Sequence, residues 1–172
     1  MSPMSPLERI AKEFDGVPHE IVDVADGCPC LRVEREHLRM AILRLRDRCG
    51  FETNTFLTAV DNLPEAPRFE ATYQFLSIQH SERVRLKVTV YENDCQLPTI
   101  TDIFPGVAYL EREVFDLFGI RFGGDVEQKR LYMPEGYGHF PLRKDFPHRG
   151  IEPDKLYREW ERRHAGGNTY RS

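Results

Sequence analysis

Arg83-Val84-Arg85-Leu86-Lys87-Val88-Thr89-Val90-Tyr91 is the stretch whose reading decides the fold. Val84, Leu86, Val88 and Val90 alternate with Arg83, Arg85, Lys87 and Thr89. An extended chain therefore places the apolar set on one face and the polar set on the other. This alternation predicts a strand with one buried face and one wet or partner-facing face, as antiparallel sheets allow. Upstream, residues 68–80 put Phe69, Ala71, Tyr73 and Phe75 on one face, and the 80–83 link is short enough for a hairpin. Residues 51–61, rich in Thr and Phe, are a third strand candidate.

Helical spacing surrounds these strands. Ser5-Pro6-Leu7-Glu8 is a capping-box pattern, Leu7, Ile10, Ala11 and Phe14 follow at helical intervals, and Gly16 stops the run. Short apolar runs at 21–24 and 31–33 read as strands about a 27–29 turn. A stronger helix covers about 35–49, with Leu38, Ile42, Leu45 and Cys49 on one face and Gly50 as its stop. Another is expected at 107–118, stopped by Gly119. These elements predict an α+β fold: a two-layer sandwich of a mixed or antiparallel sheet with helices on one face.

Beyond Phe122 the pattern changes. Residues 123–153 hold five glycines (Gly123, Gly124, Gly136, Gly138, Gly150) and four prolines (Pro134, Pro141, Pro147, Pro153), which forbid a long helix or a central strand. The same stretch is rich in Phe, Tyr, Leu and Met, unlike a free linker. It reads as an ordered, extended C-terminal arm that needs a surface to lie on. The expected division is 1–122 as the α+β domain and 123–172 as the docking arm, with a short helix at 154–164.

The 172 residues have a net charge of −4, unevenly spread. Residues 143–172 carry eight Lys/Arg against five Asp/Glu, and residues 1–142 carry 16 against 23. An acidic body with a basic tail is a poor nucleic-acid binder and a plausible docking piece for an acidic protein surface. No apolar run exceeds four residues, so neither a membrane-spanning helix nor a signal-peptide core is expected, and a cytoplasm-like compartment follows. Cys28, Cys30, Cys49 and Cys95 form no C-x-x-C pair and read as free thiols.

Phosphate-binding, zinc-protease and serine-hydrolase motifs are absent. The densest polar cluster is Glu111-Arg112-Glu113-Val114-Phe115-Asp116. Paired carboxylates suit acid–base chemistry. Spacing alone favours a salt-bridged helix instead, with Arg112 and Asp116 paired at i, i+4 and Val107, Leu110, Val114 and Leu117 facing the core. In Phe140-Pro141-Leu142-Arg143-Lys144-Asp145-Phe146-Pro147, two prolines hold the chain extended and the apolar residues need cover, which points to docking.

Here the sequence resembles a known family. Thr101-Asp102-Ile103-Phe104-Pro105-Gly106, Leu110-Glu111-Arg112-Glu113-Val114-Phe115-Asp116-Leu117-Phe118-Gly119-Ile120, Arg130-Leu131-Tyr132-Met133-Pro134-Glu135 and Pro141-Leu142-Arg143-Lys144-Asp145-Phe146-Pro147 are similar to successive motifs of the C-type subunit of respiratory NADH–quinone oxidoreductase, complex I. Thr58-Ala59-Val60-Asp61 and Arg83-Val84-Arg85-Leu86-Lys87-Val88 also fit in order. One departure is Gly124-Asp125-Val126, where the family usually has a Gly-His-Pro turn.

The resemblance implies a peripheral-arm scaffold subunit on the cytoplasmic (or mitochondrial-matrix-equivalent) side of an energy-converting membrane, not inserted in it. It implies no catalytic site, flavin, iron–sulfur cluster or quinone ligand on this chain. FMN and the iron–sulfur clusters would sit on partners, and the assembly would pass electrons from NADH to quinone and pump protons. The expected partners are the D-like, quinone-site subunit and neighbouring iron–sulfur subunits. Glu111, Arg112, Glu113 and Asp116 would order the helix and bridge to Arg130, Arg143 or Lys144. Phe115, Phe118, Phe140 and Phe146 would be apolar anchors at the subunit boundary, and Pro141, Leu142, Arg143, Lys144 and Asp145 the strap. Arg143→Ala would then lower assembly and leave the domain folded. Rival readings are the equivalent subunit of a hydrogenase or photosynthetic quinone reductase complex, a thiol enzyme using Cys28 or Cys30, and a nucleic-acid module built on the arginines of 32–48.

Overall fold

The computed structural model describes residues 6–123, 128–134, 136–151 and 162. Five strands, β1 (Glu20–Ile21), β2 (Cys30–Val33), β3 (Thr53–Asp61), β4 (Phe69–Ser77) and β5 (Glu82–Val90), form a mixed sheet in the order β1-β2-β5-β4-β3. β5, β4 and β3 are an antiparallel meander, while β2 runs parallel to β5. The hairpin between β4 and β5 turns through residues 78–81, where Ser81 takes φ 53° to close it.

The alternation in β5 is realised residue by residue. Val84, Leu86, Val88 and Val90 are fully buried opposite Phe75, Tyr73, Ala71 and Phe69 of β4. α1 (Pro6–Glu13), α2 (Leu38–Asp47) and α3 (Val107–Phe118) pack into the same core, contributing Ile10, Leu38, Ala41, Ile42, Leu45, Val107 and Val114. Each such large side chain contributes about 1.5–3 kcal/mol on burial. The polar set of β5 lies on the opposite face with Arg32 of β2 and Glu70 of β4, which bridges Arg32 and Lys87.

The expected helix at 35–49 divides into a 3₁₀ turn (Arg35–His37) and α2. It stops where anticipated, at Gly50 with φ 75°, and Phe51 N–H returns to Leu45 C=O at 2.9 Å. One pairing was not foreseen: β6 (Gln96–Pro98) and β7 (Arg121–Gly123) form a separate two-stranded parallel sheet. These segments are too short for periodicity to register, and the expected boundary after residue 122 falls inside β7. The anticipated helix at 154–164, residue 162 apart, and the departure at Asp125 lie outside the described residues, as does the Ser5 cap.

Candidate functional site

The last turn of α3 is where the arm meets the body. A helix leaves its final four carbonyls without intrahelical partners. Here Phe115 C=O accepts Gly119 N–H (2.8 Å), Asp116 C=O accepts the Arg130 guanidinium (2.9 Å), Leu117 C=O accepts Leu142 N–H (3.1 Å), and Phe118 C=O accepts Arg143 Nε–H. Two of the four caps are cations, which the negative end of the helix dipole favours. Gly119 (φ 76°) makes the close approach: a Cβ there would lie 2.5 Å from Arg143 and 2.6 Å from the Phe140 ring.

Asp116 is fully buried and is the hub. Its Oδ2 accepts the backbone N–H groups of Leu131 (3.0 Å), Tyr132 (2.6 Å) and Met133 (2.9 Å), and its Oδ1 pairs with Arg130 at 3.0 Å. Burial pushes the carboxyl pKa up, but these donors outweigh it and the net direction is down. Arg130 also donates to the carbonyls of Tyr137 and His139 and lies over the rings of Phe115 (5.4 Å) and Phe140 (4.8 Å). Phe140 has Arg143 on it too, at 4.5 Å.

A second knot fixes the arm at Lys144 and Asp145. Asp61, on the inward face of β3, receives the Arg68 fork at 2.8 and 3.1 Å and Lys144 N–H at 2.8 Å. Arg68 also pairs with Asp145 (3.0 Å) and Glu92, and Lys144 Nζ reaches Leu63 C=O at 3.0 Å. Burial again raises the Asp61 pKa, yet Arg68 and the Lys144 and Leu63 N–H groups bring it down to about 2.

Several expectations change. Arg112 does not pair with Asp116 but donates to the carbonyls of Lys129 and Arg130, because Asp116 faces inward to the arm backbone. Glu111 is buried and does not bridge to the arm: it accepts Ile100 N–H (2.9 Å) and Thr99 Oγ (2.7 Å), tying down the loop before α3. Burial pushes its pKa up, ahead of those opposing bonds. The cluster is therefore not a solvated helix face; Val107 and Val114 are buried as expected, while Leu110 and Leu117 only flank the core. Glu113 is half-buried on the next face. Phe118 is in the core, so it is no boundary anchor, and Phe115 and Phe140 meet edge-on at 6.3 Å inside the chain. Phe146 meets His139. Among the described residues of α3 and the arm, the large apolar side chains left exposed are Tyr109, Tyr132 and Leu142, at 66%, 61% and 52%.

Asp61 and Arg68 were not among the candidate site residues. Alternation of Leu57, Ala59 and Asp61 put a charge on the buried face of β3, and that was the available signal. The thiols are not activated: burial pushes Cys28 and Cys30 up, and Cys49 up to about 11. Among the described residues, no helix is long and apolar enough to cross a membrane.

The family model for the respiratory-chain NADH dehydrogenase 30 kDa subunit matches residues 31–152. The C-type subunit of NADH-quinone oxidoreductase from Ruegeria pomeroyi is 43% identical over 70% of this chain and 60% of its own length. The one from Trichlorobacter lovleyi is 42% identical over 84% of this chain and 89% of its own. A protein of Aquifex aeolicus whose name joins the C and D subunits is 37% identical over 87% of this chain, which corresponds to 25% of that longer protein. Among solved structures, a trypsin-resistant fragment of Nqo5 superimposes with a TM-score of 0.61 at 30% identity, over 72% of this chain and 99% of the fragment. An archaeal membrane-bound sulfane sulfur reductase complex contains a chain with a TM-score of 0.70 at 20% identity, covering 88% of this chain and 89% of that one, a likeness of fold alone.

Proposed function

Because the chain belongs to the family of the respiratory-chain NADH dehydrogenase 30 kDa subunit, we propose that it is a structural subunit of a proton-translocating NADH–quinone oxidoreductase. In this reading it has no catalytic site or cofactor of its own, lies peripherally on the cytoplasmic side of the membrane, and docks on the quinone-site subunit. FMN and iron–sulfur clusters belong to its partners. The names of the relatives support the assembly, and the C/D protein of Aquifex aeolicus supports a D-like neighbour, since a fused chain keeps its two parts together.

The observation that carries the structural role is the state of the arm. The described residues of 128–146 lack regular structure, yet two carboxylates in the body, Asp116 and Asp61, hold the backbone N–H groups of Leu131, Tyr132, Met133 and Lys144. Tyr132 and Leu142 are thereby presented outward at points where the backbone is anchored to the body, and anchoring before docking lowers its entropic cost. Centres that exchange electrons need fixed separations, and a rigid strap between subunits serves that need.

The test is mild detergent extraction of the tagged chain from its source, followed by size, cofactor and donor analysis. Recovery in a large membrane assembly with flavin, iron–sulfur absorbance, NADH–quinone activity and a D-like partner is expected. The same assembly without NADH oxidation reassigns the donor. A lone 20.1 kDa protein overturns the reading.

A further inference from the structure

The three helices bury one face of the five-stranded sheet, and the other face carries an unusual division of chemistry. On β3, Phe56 and Val60 point away from the core and are 47% and 46% exposed. Four residues apart on a strand, they span about 13 Å. On β5, Arg83, Arg85 and Lys87 form a parallel cationic row. The strand register aligns the rows: Phe56 and Arg85 both face Gln74 of β4, and Arg83 faces Leu76. With one strand between them, the rows are about 10 Å apart. That is the diameter of an α-helix with its side chains.

Charge separates the three cations. Lys87 is held by Glu70 at 2.7 Å and Arg85 by Asp26 at 2.5 Å. Arg83 has no carboxylate partner among the described residues. It borders a groove of about 690 Å³ in which Leu76 and Ile78, the latter 66% exposed, are apolar lining beside polar Gln74, Ser77 and Ser81, and in which the Asp26 carboxylate is taken up by Arg85. Apolar surface beside an uncompensated cation is the complement of an amphipathic helix with an acidic edge.

We propose that this open sheet face is a second docking surface, separate from the arm, which takes an amphipathic α-helix of a partner protein in the assembly. The helix lies along the strands, with its apolar stripe on Phe56 and Val60 and a carboxylate on Arg83. The inference rests on the chain being one component of an assembly.

The test uses the full tagged chain expressed in its source. Phe56→Asp and Arg83→Glu each reduce recovery of the assembled complex about tenfold or more, the loss expected when an interface anchor is removed. Both side chains are exposed enough that the isolated variants keep the parent's melting temperature. In parallel, Ile78→p-benzoylphenylalanine in the assembled complex gives a photo-cross-link to an Asp- or Glu-bearing helical peptide of a different protein. Reversing that acid to Arg restores assembly of Arg83→Glu.

Normal assembly of both variants overturns the proposal. So does a cross-link to a second copy, to residues of the same chain or to no protein at all. If Phe56→Asp does not fold, Arg83→Glu and the cross-link decide. Recovery of the unsubstituted chain alone overturns the assembly reading instead, so the two failures are distinguishable.

Discussion

Asp116 and Asp61 serve the same purpose from different elements: each buries a carboxylate so that the arm's backbone has a fixed acceptor. Removing such a charge leaves its cationic partner buried and unpaired, which costs about 3–5 kcal/mol. Asp116→Ala is therefore expected to lower unfolding free energy by about that amount. It should also speed proteolysis within 128–146 relative to the sheet; urea titration and limited proteolysis check both. The pH response separates the buried acids. The folded Asp61 carboxyl titrates near 2 against an ordinary 3.8. Its stabilisation is therefore complete above 3.8 and disappears as pH falls through about 2. The stability lost across that window, roughly 2 kcal/mol, is expected to be absent in Asp61→Asn when measured by denaturant unfolding at stepped pH. Glu111 has the opposite sign. Burial raises its pKa above the ordinary 4.5, so its charge opposes folding increasingly as pH rises through that interval. Glu111→Gln should flatten that part of the profile, and a neutral-pH stability well below the parent's would contradict the assignment.

At the scale of elements, the C-terminus of α3 and the arm are one construction, because the arm supplies three of the four caps the helix lacks. Gly119→Ala tests it. The left-handed backbone alone costs a residue with a Cβ about 1–2 kcal/mol, and the added atom displaces Phe140 and Arg143 as well. A drop in melting temperature and easier cleavage of the arm are expected; an unchanged melting temperature would refute the close-packed cap. Arg143→Ala belongs here too. The side chain is spent inside the chain, on Phe118 C=O and between the Phe69 and Phe140 rings, so loss of stability should accompany any loss of assembly. The helix was legible from its apolar spacing and its Gly119 stop. The direction its acids face was not, since i, i+4 spacing describes an isolated helix and the arm competes for the same carboxylate.

For the whole molecule, the arm and body share Asp116, Asp61, Arg68 and the Phe140 contacts, so the described part of the chain should unfold in a single transition. Calorimetry of the intact protein is expected to give one peak, and a chain ending at residue 122 should melt lower, because Asp116 loses Arg130 and its three backbone donors, Asp61 loses Lys144 N–H while keeping Arg68, and α3 loses three of its caps. Two separate transitions would show instead that the arm is only an appendage. Much of this architecture was present in local pattern. Strict alternation determined β4, β5 and their hairpin, helical spacing with a following glycine determined α2 and α3, and four ordered motifs determined the family. Those features depend on residues near one another in the chain, where a period of two or 3.6 is sufficient. Tertiary structure alone decided the parallel pairing of β2 with β5 and the small β6–β7 sheet, and it selected Arg130, one of the arm cations the family resemblance offers, over Arg112 for Asp116. Each joins segments distant in sequence, and a buried carboxylate takes whichever donors the fold brings within hydrogen-bonding distance.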